Sequence, residues 1–219
     1  MHTPQLRLYD YAASSNCYKV RLLLAQLELP YERIAVDIFA GETLSDEYAA
    51  KNPSRTVPTL ETEDGRFLPD SSAILVYLAD STPILPDSAF GRAEVVRWLV
   101  YEQTDVIPTM GGLRFRLHTG RLKPTDDDAI RRKHGGEQVL ELLDHHLAGR
   151  DFFVGDGYSV ADIGLFAYVH VADEAGIEVQ PYENVCAWLE RVRSQPRYLN
   201  DLEPYPPNAA AGGGRSLYD

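Results

Sequence analysis

A proline stands where an apolar, β-prone run begins, and a polar pair opens a helix shortly after it. The stretch Asn52-Pro53-Ser54-Arg55-Thr56-Val57-Pro58-Thr59-Leu60 is followed by Leu68-Pro69-Asp70-Ser71-Ser72-Ala73-Ile74-Leu75. Pro58 fits a strand only at its first residue, where no ladder donor is lost. The bond before it is the one kind of peptide in which the cis form is cheap. Between the two stretches, Glu63-Asp64-Gly65 is a turn signal that folds Thr56 to Thr62 and Arg66 to Leu68 into a hairpin. Asp70 and Ser71 then start a helix whose first N–H groups have no partner inside it, a place suited to an anionic or zwitterionic ligand.

The residues before this segment alternate between the two periods. Leu6 to Tyr9 reads as a short strand, and Ser15 to Leu29 as a helix with Val20, Leu23, Leu24 and Leu27 on one face. Pro30 stops that helix, Tyr31 to Val36 reads as a second strand, and Leu44 to Lys51 as a weaker helix ended by Asn52-Pro53. With Ser71 to Asp80 as the closing helix, the order is βαβ, α, ββα, that of an α/β thioredoxin-like domain over residues 1–80. Residues 81–87 are proline-broken and read as a linker.

Residues 88–203 read as an all-helical domain. Ala89 to Leu117 is long and amphipathic, and Pro108 with Gly111-Gly112 predicts a kink in it. Thr125 and the three acids after it suit a helix start, where the macrodipole favours negative charge. Within Asp156-Gly157-Tyr158-Ser159-Val160-Ala161-Asp162-Ile163, Ser159 and Asp162 have the spacing of a capping box. Tyr182 to Ser194 is the last clear helix. Residues 204–219, rich in Pro, Ala and Gly, cannot build a core and read as a mobile or draped tail.

The balance of charge narrows the partners. With 33 acidic against 21 basic residues the net charge is −12, which repels nucleic acid and anionic membranes at long range. No apolar run approaches the roughly 20 residues that span a bilayer. Met1 to Gln5 carries no leader signal, and two distant cysteines, Cys17 and Cys186, form neither a disulfide framework nor a zinc site. A reduced, cytoplasmic setting without metal is the expectation.

The Asn-Pro-x-x-x-Val-Pro-x-Leu string, followed by an acid-Ser-x-Ala-Ile string with Asp70 in place of the usual Glu, resembles the thiol-binding half of the cytosolic glutathione S-transferases. The loop Tyr11-Ala12-Ala13-Ser14-Ser15-Asn16-Cys17-Tyr18-Lys19-Val20-Arg21 resembles the serine-type members, the zeta class above all. The resemblance implies glutathione as co-substrate, no metal, a homodimer, and a small-molecule electrophile as the second substrate. It implies that a serine hydroxyl donates to the glutathione sulfur, with Ser14 ahead of Ser15; Asn16 beside them is a candidate for a second polar contact. It places Val57 against the cysteinyl backbone, expects Pro58 to be cis, and gives Asp70 and Ser71 the γ-glutamyl end. Thr56 stands where many relatives carry Gln or Lys near the glycine carboxylate, so Arg55 or Lys51 is the expected substitute.

Thiolate activation asks little energy, since each tenfold gain needs about 1.4 kcal/mol, within reach of one charge-assisted hydrogen bond. Cys17, in the first helical turn, is a competing nucleophile of the kind that reduces mixed disulfides. Tyr11, Met110, Arg114, Phe115 and His118 are the candidates to line the electrophile pocket. Arg114 and His118, one helical turn apart, suit an anionic electrophile. Three readings stay open beside that reductase: a transferase attacking a hydrophobic or unsaturated electrophile, a glutathione-dependent cis–trans isomerase of an unsaturated diacid, and a thiol-binding scaffold with little turnover.

Overall fold

A computed structural model describes residues 6–155 and 157–218; Met1 to Gln5, Asp156 of the capping string, and Asp219 lie outside the described residues. The chain forms two compact units, one made of the residues up to Leu78 together with those from Leu199 onward, the other of Ala79–Tyr198.

The first unit is built on a four-stranded sheet in the order β2-β1-β3-β4. Strands β1 (Leu6–Asp10) and β2 (Tyr31–Ala35) run parallel, joined by helix α1 (Ser15–Gln26). Strand β3 (Thr59–Glu61) pairs antiparallel with β1, Leu8 facing Leu60, and β4 (Phe67–Pro69) closes the edge as a hairpin. Helices α2 (Asp46–Lys51) and α3 (Ser71–Ala79) complete the expected βαβ, α, ββα order. The strand after Pro58 begins at Thr59 rather than Thr56, because the Thr56 carbonyl is held by the Tyr48 and Asn52 side chains instead of by the ladder. Helix α1 is buried all round from Cys17 to Leu24, not on one face alone. That burial includes Lys19 and Arg21, which need partners in the interior.

Arg21 finds them at the chain's far end. Its guanidinium donates to Asp10 Oδ1 at 2.6 Å, to both Asp201 carboxylate oxygens at 2.9 and 3.0 Å, and to the carbonyls of Ala12 and Asp201. Tyr18 donates to the Leu199 carbonyl at 2.6 Å, and the Glu203 N–H to that of Ala12. These bonds place residues 199–203 with the first unit, not with the helical domain to which the sequence reading gave them. A buried cation draws the chain to whatever carboxylates neutralise it.

The second unit is helical: α4 (Ala89–Tyr101), a π-helical stretch over Glu102–Gly111, α5 (Gly112–His118), α6 (Asp127–Leu147), α7 (Val160–Val169) and α8 (Glu183–Arg193). The breakers at 108–112 widen the helix, where a kink was expected. Pro108 has no N–H to donate, and the Thr104 and Thr109 hydroxyls bond back to the carbonyls of Val100 and Asp105. Gly111 is itself helical, with φ −63°; a Cβ there would sit 2.5 Å from the Tyr168 ring, so glycine serves close packing. Helix α6 starts one residue later than Thr125 predicts, with Asp126 at the N-cap.

The Ser159–Asp162 box opens α7, and Asp162 is fully buried. Its carboxylate accepts from Ser159 N and Oγ at 2.9 and 3.0 Å, Phe153 N at 3.1 Å and Trp188 Nε1 at 3.0 Å. At the other end of α7, His170 stacks on Phe166 and donates from Nδ1 to its carbonyl at 2.7 Å.

Burial lowers the His170 imidazole to about 4 and raises the Asp162 carboxyl to about 6, with opposite consequences for acid stability. The His170 contribution is complete above its ordinary value of 6.5 and is lost as the pH falls toward about 4, because the unfolded chain takes up the proton first. The Asp162 contribution is complete below its ordinary 3.8 and is lost as the pH rises through about 6. Comparing wild type with His170→Gln cancels the Asp162 part. Between about pH 7 and 4.5 the wild type should lose about 2 kcal/mol relative to the variant in denaturant unfolding. A difference that does not change with pH would show that His170 is not held neutral.

Candidate functional site

The loop after β1 places two serines at the start of α1, and the structure gives them different positions. Ser14 is the N-cap: its Oγ accepts from Cys17 N–H at 3.3 Å, with an extended backbone at φ −83° and ψ 119°. An N-cap hydroxyl uses a lone pair on the helix and keeps its own proton to donate. Ser14 is half-exposed, whereas Ser15 is the first helical residue and is buried. Cys17 is wholly buried, its sulfur accepting from Tyr11 N–H at 3.4 Å, and burial pushes its thiol far above the ordinary range. The first-turn position that would favour a thiolate is overridden by the absence of water.

The Asn-Pro motif shapes the second part of the site. Asn52 is fully buried; its Oδ1 accepts from Ser54 N–H at 2.9 Å, and its Nδ2 donates to the Thr56 carbonyl at 2.8 Å. Tyr48 donates to the same carbonyl at 2.8 Å, and burial raises its phenol to about 12, so it stays a donor. The Val57–Pro58 bond is cis. Among the described residues no hydrogen bond engages the Val57 backbone, which leaves one N–H and one C=O for an extended peptide to pair with.

The third part is the start of α3. Asp70 adopts φ +75° and its Oδ1 accepts from the N–H groups of Ser72 and Ala73 at 2.9 and 3.1 Å, so this carboxylate caps the helix. Ser71 is buried and meets two residues of α1: Lys19 Nζ donates to its Oγ at 3.0 Å, and its hydroxyl donates to Asn16 Oδ1 at 3.2 Å. The sequence reading assigned Lys19 no role, although a lysine beside the apolar Val20, Leu22, Leu23 and Leu24 is the signal that marks it. The Nζ–H donated by Lys19 occupies a lone pair of Ser71, and the serine's own proton goes to Asn16.

The two cations expected near a glycine carboxylate are turned elsewhere. Lys51 pairs with Glu47 one turn back at 2.9 Å and lies over the Tyr9 ring, and it does not line the cleft beside Val57. Arg55 lines that cleft, but its guanidinium donates to the Leu44 and Ser45 carbonyls and reaches Asp46. Thr56 is exposed on the same cleft.

Of the candidate pocket residues, Tyr11 lies in the first unit, buried edge-on against Phe39. The rest lie in the second. Met110 is core, against the α6 backbone at Gly136. Arg114 and His118 do face one way, but onto Glu174: Arg114 Nε reaches its carboxylate at 2.7 Å and His118 Nε2 lies 3.1 Å from its carbonyl. The anion that this pair meets is the chain's own. Phe115 is half-buried beside the Arg121 guanidinium. Among the described residues no His, Cys, Asp and Glu group is arranged to hold a metal, and no helix is long and apolar enough to cross a membrane.

Residues 8–88 match the family model for the glutathione S-transferase N-terminal domain, and residues 113–196 that for the C-terminal domain. The chain belongs to the glutathione S-transferase family. Within it, the chain is 30% identical over 211 residues to the maleylacetoacetate isomerase of Dictyostelium discoideum, covering 92% of this chain and 95% of that one. The crystal structure of a glutathione S-transferase from Pseudomonas fluorescens superposes with a TM-score of 0.87 at 39% identity, over 90% of this chain and 99% of that one. A glutathione transferase from Burkholderia graminis, solved with two glutathione molecules per subunit, superposes at 0.77 and 29% identity, over 90% and 86%. As in this family, a thioredoxin-like glutathione S-transferase domain is joined to a helical one.

Proposed function

We propose that this transferase binds glutathione along Val57 and activates its thiol through Ser14 for attack on a hydrophobic or unsaturated electrophile. The observation that carries the reading is Ser14 itself: half-exposed, committed to the helix by its lone pair, with a proton left to donate. A sulfur placed before it receives that hydrogen bond and the positive end of α1, and both favour the thiolate. Ser15 is too buried to serve equally. The Val57 backbone pairs with the cysteinyl unit, the Ser71 hydroxyl turns from Asn16 to the γ-glutamyl carboxylate, and Asp70 takes the ammonium. Held so, the thiolate and an electrophile react as if at high effective concentration. A homodimer in a reducing cytoplasm belongs to the same reading, with Phe90, Val96 and Val100 of α4 among the exposed apolar side chains that a second copy would cover.

Isomerisation of an unsaturated diacid is the second reading, favoured by the identity to the maleylacetoacetate isomerase. It uses the same thiolate, which adds and then leaves. The Arg114–Glu174 pair argues against Arg114 as the group that receives the diacid.

Isothermal titration with glutathione tests the shared step. The wild type should release heat; absence of binding by the folded protein would remove glutathione from the assignment. Lys19→Met, which keeps the stem and removes the donor, should raise Kd about tenfold, one lost bond of about 1.4 kcal/mol to a charged group. The loss should be absent for cysteinylglycine, which lacks the γ-glutamyl carboxylate, and should be partly restored in Lys19→Arg. An equal loss for both ligands would make Lys19 merely structural.

A further inference from the structure

The chain's last stretch is anchored at its base and more exposed at its end. The base is the Arg21–Asp201 ion pair with the Glu203 N–H on the Ala12 carbonyl. Beyond it, Asn208 Nδ2 donates to Asp37 Oδ2 at 2.8 Å and Ala209 is completely buried. Three glycines follow. Gly212 has φ +69°, which favours glycine, and a Cβ on Gly214 would sit 2.4 Å from the Phe39 carbonyl oxygen, so neither position suits a side chain.

The end of the tail then lies against the loop after β2. Arg215 N–H donates to the Phe39 carbonyl at 2.7 Å, and the Tyr218 ring is 6.3 Å from that of Phe39. This path seats Leu217 and Tyr218 over a cleft whose other walls are Ile38, Thr43, Arg55, Thr56 and Val57. The space left is about 10 Å³, room for about one water molecule. An extended peptide cannot enter it. Yet Leu217 and Tyr218 remain 50% and 52% exposed, so this cover excludes far less water than the contacts of Arg21 and Ala209, both fully buried.

We infer that Arg215–Tyr218 is a strap over the Val57 cleft, an intramolecular competitor that a thiol peptide must lift before it pairs with the Val57 backbone. The inference rests on the glutathione reading of that cleft. The glycines at 212–214 are the hinge, and the Arg21–Asp201 pair keeps the strap's base in place while its end moves. The affinity measured for the whole chain is then reduced by the fraction of molecules with the strap closed. The tail thereby sets how much thiol peptide the enzyme needs before it engages.

Two forms of the protein test it: the full chain, and a chain ending after Gly214, which keeps every bond of the base. Titrated with glutathione, the shortened form should bind at least about threefold tighter, the change expected when a state closed in about two molecules of three is removed. The double substitution Leu217→Ser with Tyr218→Ser should reproduce the gain in an unshortened chain. Glutathione should also speed tryptic cleavage after Arg215 in the full chain, as the lifted strap meets the protease. Equal or weaker binding by the shortened form overturns the strap while the glutathione reading stands. If neither folded form binds glutathione, that reading fails and the strap, as its gate, fails with it.

Discussion

Ser14→Ala is expected to lower kcat/KM with an electrophilic substrate by about a hundredfold or more, the scale on which enzymes lose rate when one donor to a developing charge is removed. The reason lies in how the residue is shared. Its Oγ accepts from Cys17 N–H, so it fixes the end of α1 and the direction of its own proton at once. Without that proton the bound thiol returns toward its ordinary pKa, and each unit of rise removes about nine-tenths of the thiolate at neutral pH. Glutathione affinity should change little, because Val57, Asp70 and Ser71 do not depend on the hydroxyl. The ultraviolet absorbance of the bound thiolate should vanish in Ser14→Ala and persist in Ser15→Ala. The reverse pattern would move the role to Ser15. Loss of the cap costs about 1 kcal/mol of stability, so the comparison belongs well below the unfolding temperature.

Asp162→Ala should do more damage to the folded chain than any change at the site itself. Four donors converge on this carboxylate from Phe153, Ser159 and Trp188. Truncation strands them in the interior at about 1–3 kcal/mol each, so that even partial relaxation leaves a loss of about 4–6 kcal/mol. That approaches the whole stability of a typical domain, about 5–15 kcal/mol. Denaturant unfolding followed by Trp188 fluorescence would show the midpoint falling steeply or the transition disappearing. A shift of less than about 1 kcal/mol would mean that the donors find other partners. Asp162→Asn, which keeps an acceptor oxygen but turns an amide toward the remaining donors, should fall between the two.

Much of this protein was legible in the order of its residues. The βαβ, α, ββα order followed from periodicity and breakers, the serine at the helix start from capping chemistry, and the Ser159–Asp162 box from its spacing alone. These features are settled by bonds between residues a few positions apart, which a sequence displays directly. The tertiary structure decided the rest. Lys19 and Arg21 stood in plain view, but their partners Ser71 and Asp201 are distant in the chain and become neighbours only when α1 is buried on every side. Arg55 and Lys51 were plausible ligand cations until nearby carbonyls and Glu47 took them. Gly111 read as a breaker, and the Tyr168 ring packed on it shows why it must be glycine. The end of the chain read as a tail without a core of its own, and it borrows one by laying Ala209 into the first unit. A charged or flexible residue takes its role from whatever neutralises or covers it, and in a folded chain that partner is set by packing, not by proximity in sequence.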